Sequence, residues 1–184
     1  MSFCLWLTGL PGSGKSTILN ELSRMLLESG IEAVTLSLDG IRKIITPEPK
    51  YTDEERNIVY RALVMMAHLL VDQGEKNVII DATGNRREFR HLGRGLIQEF
   101  AEIYVKCPLE ICTAREGARR GQPVQKDLYK RASERKLEGE LPGISAPYEE
   151  PENPEVEVPS DLLAPYESAK KIMAYVKSRW PGKP

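Results

Sequence analysis

Gly9-Leu10-Pro11-Gly12-Ser13-Gly14-Lys15-Ser16 has the spacing G-x-x-x-x-G-K-[ST], in which successive main-chain N–H groups can close around one anion. Gly9, Gly12 and Gly14 allow the tight curl, because a residue without Cβ reaches φ > 0 at no steric penalty. Lys15 is long enough to reach the β/γ-phosphates of a nucleotide, and the Ser16 hydroxyl is a hard oxygen donor suited to Mg²⁺. Leu10, Pro11 and Ser13 supply the intervening main chain. Thr17 fits an α-phosphate contact and, equally, a cap on the first helical turn. Taken together, the set points to ATP and Mg²⁺.

Two acids end apolar runs. Asp39 follows Ala33-Val34-Thr35-Leu36-Ser37-Leu38, and Asp81 follows Asn77-Val78-Ile79-Ile80. Acids at strand ends of an open parallel sheet face the ligand crevice. Asp39 suits a general base for a substrate hydroxyl or a second-shell Mg²⁺ contact, and alternatively an N-cap for a short helix from Ile41. Asp81 suits an acid facing Mg²⁺, or a backbone cap. Arg42, Arg56 and Arg61 stand near that crevice, either gripping an anionic substrate or pairing with acidic neighbours. Arg86, Arg87 and Arg90 follow the third strand, and guanidinium groups so close together suit phosphate or sulfate. A solvated charged face is the alternative. Arg115, Arg119 and Arg120 begin a cationic helical section broken by Gly121-Gln122-Pro123, a pattern that fits a mobile lid over ATP phosphates or an ordinary solvated helix pair.

Positioning these residues requires strands alternating with helices. Phe3–Leu7 reads as a strand buried on both faces, followed by an amphipathic helix that stops at Ser29-Gly30. Strands are predicted at 33–38, 77–84 (ending in polar residues), 102–108 and 156–159. A helix with acids in its first turn runs from Thr52 to Gly74, with His68 at the core edge, and another closes the chain from Tyr166 to Trp180. The doubly proline-broken 46–50 stretch fits a substrate cover. This alternation demands a parallel sheet.

At 184 residues the chain suits one α/β domain. A formal net charge of −1 carries no global footprint for nucleic acid or an anionic membrane. Cys4, Cys107 and Cys112 lack zinc spacing and read as buried free thiols. The chain opens directly on a strand, and no apolar run approaches a membrane span, so a soluble cytosolic protein is expected.

Four patches make the sequence similar to adenylylsulfate (APS) kinases from Leu7 to about Ile172. They are Thr8–Thr17, Leu36–Arg42, Cys107–Arg115, and the pair Leu128–Ala132 with Leu141–Pro151. The resemblance implies that Asp39 is the base, that Arg42, Arg61 and the Leu141 loop touch the acceptor, and that a lid follows Arg115. The chain departs from the family pattern at Ser37-Leu38-Asp39-Gly40, at Val59 and at Asp81–Arg87. The expectation is a P-loop kinase with a parallel five-stranded sheet flanked by helices, one domain over 1–184 with a helical lid at about 113–145. Lys15, Asp39 and Arg115 carry catalysis. Gly9 to Thr17, Arg115 and Arg119 bind the nucleotide. Asp39, Arg42, Arg61, Asp81, Arg87 and Leu141 bind the acceptor, while Ser16 and Asp81 hold the metal. The implied reaction moves the γ-phosphoryl of ATP to the 3′-hydroxyl of adenosine 5′-phosphosulfate, giving PAPS. Another small hydroxyl compound, a nucleic-acid end, or a nucleotide-binding switch stay open, as does a homodimer.

Overall fold

The computed structural model describes residues 2–49, 52–118 and 142–181. The chain runs β1 (Cys4–Thr8), α1 (Lys15–Glu28), β2 (Ala33–Ser37), α2 (Leu38–Ile45), α3 (Asp53–His68) with a π-type turn at Leu69–Gln73, and β3 (Asn77–Asp81). It continues through α4 (Arg87–Leu96), β4 (Phe100–Lys106), α5 (Leu109–Gly117), β5 (Val156–Pro159) and α6 (Pro165–Arg179). The five strands form one parallel sheet in the order β2-β3-β1-β4-β5.

Strand alternation divides the core into two layers. Phe3, Leu5 and Leu7 of β1 pack with Ile18, Leu22 and Leu26 of α1 and with Ala169, Ile172 and Val176 of α6. Cys4 and Trp6 point the other way, onto Val59, Leu63 and Val64 of α3 and Phe89 of α4. Central β1 is therefore buried along its whole length, whereas edge strand β2 is not. All three cysteines are buried free thiols.

Local signals set the helix ends. At the end of α1, Gly30 takes φ 75°, while its N–H reaches Leu27 O at 3.0 Å and Ile31 N–H reaches Leu26 O at 2.9 Å. This left-handed cap satisfies carbonyls the helix leaves open. Thr52 caps α3 by accepting from Glu55 N at 3.2 Å. One boundary differs from expectation: α2 begins at Leu38, with Ser37 at its N-cap. Asp39 thus lies inside the first helical turn and is not the cap of a helix from Ile41. A carboxylate there gains from the helix dipole in any case.

Sheet order brings the predicted residues together. The chain leaves β1 for the far edge, returns to β3, then crosses to β4 on the other side of β1. The switch point lies at the carboxyl end of β1, where such sheets open a crevice. There Leu7 and Ser37 both lie level with Asp81.

Candidate active site

Residues 9–16 turn from β1 into α1. Gly12 and Gly14 hold φ 77° and 95°, and neighbouring main chain presses on the turn. A Cβ on Gly12 would stand 2.5 Å from Cys112 O, so glycine is required by space as well as by conformation. Lys15 is buried and donates from Nζ to Gly9 O at 2.9 Å and Leu10 O at 3.0 Å. Burial draws its ammonium below the ordinary lysine value, and Asp81, Cys112, Asp39 and Glu116 oppose that fall. A desolvated cation whose hydrogen bonds here go to carbonyl dipoles gains strongly from a polyanion.

Ser16 Oγ donates to Asp81 Oδ2 at 2.8 Å. This hydrogen bond joins the start of α1 to the end of β3, setting a carboxylate beside a hydroxyl. Two hard oxygen ligands of this kind, completed by water and phosphate oxygens, suit Mg²⁺. Asp39 is exposed at the start of α2; its charge is felt by Lys15 and by the buried Tyr60.

The exit of β3 is pinned by three side chains, two from β1 and one from α3. Trp6 Nε1 donates to Ala82 O at 3.1 Å, Thr8 Oγ1 to Thr83 O at 2.6 Å, and Gly84 N to Tyr60 Oη at 2.9 Å. Burial pushes the Tyr60 hydroxyl up to about 12. That hydroxyl stays neutral across the physiological range. A returning strap, residues 142–151, lies against the same exit. Tyr148 Oη meets Thr8 Oγ1 at 3.0 Å, Glu149 N donates to Asn85 O at 2.8 Å, and Asn85 Nδ2 to Pro147 O at 3.3 Å.

Four of the arginines expected near the acceptor, Arg42, Arg86, Arg87 and Arg90, are engaged by protein partners. Arg42 pairs with Glu55 at 3.2 Å, and Arg86 with Asp53 at 2.7 Å. Arg87 Nε donates to Glu150 O at 2.8 Å, and its Nη1 lies 3.1 Å from Glu152. The structure thus gives Arg87 to the strap. Arg90 is fully buried, bonded to Glu102, to Gly84 O and to Glu149 O. It is neither a free anion ligand nor part of a solvated face, because its charge is neutralised inside the molecule. Arg61 is exposed on α3.

A family model described as adenylylsulphate kinase matches residues 1–159. The chain belongs to the adenylylsulphate kinase family. A probable adenylyl-sulfate kinase of Halalkalibacterium halodurans is 40% identical over 190 residues, covering 99% of this chain and 86% of the relative. An adenylyl-sulfate kinase of Thermodesulfovibrio yellowstonii is 38% identical, with 97% and 85% covered. The solved APS kinase CysC of Mycobacterium tuberculosis, in complex with AMPPNP and APS, superposes with a TM-score of 0.82 at 30% identity, covering 96% of this chain and 98% of that one.

Within this chain, the fold brings Gly9–Thr17, Asp39 and Asp81 to one crevice. Arg119 and Leu141, and most of the expected lid, lie outside the described residues. Arg115 is placed against the outer side of the phosphate loop, donating from Nη2 to Ser160 O at 2.8 Å and from Nη1 toward Ser160 Oγ at 3.3 Å and Ser13 O at 3.5 Å. Sequence reasoning missed Ser160, Thr8, Tyr60 and Tyr148. Thr8 and Tyr148 lie inside the resembling patches without a role read for them, while Ser160 and Tyr60 carry no motif; the long-range partners of all four reveal what they do.

Proposed function

We propose that this chain is an ATP-dependent adenylyl-sulfate kinase, transferring the γ-phosphoryl group to the 3′-hydroxyl of adenosine 5′-phosphosulfate. Membership of the family over residues 1–159, beside a solved relative holding both AMPPNP and APS, carries the reading. The site's geometry supports the donor half. Lys15, released from Gly9 O and Leu10 O, neutralises the β/γ oxygens, and the loop's N–H groups cradle them. Ser16 and Asp81 would hold Mg²⁺, which when bound shields charge on the phosphates. Asp39 takes the proton of the acceptor hydroxyl, and Arg42 and Arg61 orient the acceptor's anionic end.

The decisive measurement is ADP release from ATP and Mg²⁺, with and without APS, with PAPS identified as product. Strong stimulation by APS is expected. Stimulation by sugars or other alcohols but not by APS assigns a different acceptor. Stimulation by a macromolecule alone assigns a switch.

A further inference from the structure

The turn after β5 reaches back to the phosphate loop. Ser160 is buried, and its Oγ donates to Ser13 O at 2.6 Å across 147 positions of chain. Arg115 braces the same spot, reaching Ser160 O, Ser160 Oγ and Ser13 O. The Ser13 hydroxyl takes no part: it is buried and without a hydrogen-bond partner among the described residues. What is held is therefore the Ser13 carbonyl. In a planar trans peptide the C=O and the following N–H point opposite ways. Fixing Ser13 O against Ser160 and Arg115 thus turns the Gly14 N–H away from them. Gly14, at φ 95° and without a Cβ, is the residue least able to hold that plane unaided.

We infer that Ser160 is a positioning residue for nucleotide binding: by holding the Ser13–Gly14 peptide plane, it presets a main-chain donor for the polyphosphate, with Arg115 as its brace. This rests on the phosphate-loop reading, and not on the identity of the acceptor. Removing the hydroxyl leaves the loop's residues intact but allows the peptide to rotate, so binding must then reorder it.

The test is titration calorimetry of the full chain with two probes, Mg²⁺-ATP and Mg²⁺-tripolyphosphate, on the unchanged protein, Ser160→Ala and Ser160→Thr, with thermal melts alongside. Ser160→Ala is expected to weaken both probes by the same factor, about 3- to 10-fold, as for loss of one neutral hydrogen bond. Ser160→Thr, which keeps the hydroxyl, is expected to restore at least part of that loss, and KM for ATP should rise while kcat changes little. Unchanged affinity for both probes in Ser160→Ala overturns the inference, as does a shifted melt with unaltered binding. Weakened ATP with unaltered tripolyphosphate also overturns it, placing Ser160 at the nucleoside end. No binding by the unchanged chain removes the phosphate-loop reading itself and the inference with it.

Discussion

The donor side and the acceptor side of the crevice are built differently. On the donor side, the loop and Lys15 make short-range bonds within residues 9–16, such as Lys15 to Gly9 O and Ser13 N to Leu10 O. In the proposed reading, main-chain groups and one lysine perform the binding. On the acceptor side four arginines pair with residues of other elements: Arg42 with Glu55, Arg86 with Asp53, Arg87 and Arg90 with the 142–151 strap. The contrast teaches that a phosphate grip can be made by a contiguous peptide, whereas a shaped acceptor pocket requires several elements to converge. Ser16 with Asp81, and Ser160 with Ser13, are where the two constructions meet.

If that division holds, substitutions on the two sides should separate binding of ATP from chemistry on the acceptor. The largest effect is expected from Lys15→Ala, which removes the cation proposed to neutralise the β/γ-phosphates. Calorimetry should lose most of the Mg²⁺-ATP signal, and kcat/KM should fall on the order of 10²–10³-fold or more. Full activity in this variant breaks the donor assignment. Asp39→Asn should leave ATP affinity nearly unchanged while kcat drops about 10²–10⁴-fold, as for loss of a general base. Steady-state kinetics with APS checks this, and unchanged turnover removes Asp39 as the base.

A smaller effect sharpens the comparison at Glu155, just before β5. Burial acts to raise the Glu155 carboxyl, but hydrogen bonds from Arg94 and from Glu102 N outweigh it and hold Glu155 below the ordinary carboxylate value. A depressed folded value means stabilisation that is present above the unfolded value near 4.5 and is lost as pH falls through the folded one. Melting curves between pH 3 and 7 (roughly the window in which carboxylates titrate) should therefore converge for the unchanged chain and Glu155→Gln at the acid end. The gap should open toward neutrality. A gap that is constant with pH shows that the Arg94–Glu155 pair contributes nothing through charge.

Much of the architecture is written locally. Alternating apolar runs, Gly30 at the end of α1 and Thr52 at the start of α3 each act through neighbouring backbone. The start of α2 was misplaced because Ser37-Leu38 continues an apolar strand pattern, and only the edge position of β2 releases it into a helix. Of the site, Gly9–Ser16 was legible since its proposed function rests on consecutive main-chain amides. Arg90 was not, because an arginine read alone gives no sign that Glu102 and two carbonyls wait for it inside the core.

The sequence by itself determined the phosphate loop, the order of strands and helices, and the acid that ends β3, since turn chemistry and side-chain period act over a few residues. Tertiary structure alone decided which arginine neutralises which carboxylate, that Tyr148 closes on Thr8 and that Ser160 braces Ser13. Those contacts join positions far apart in the chain, and their geometry comes into being only when β1 lies between β3 and β4.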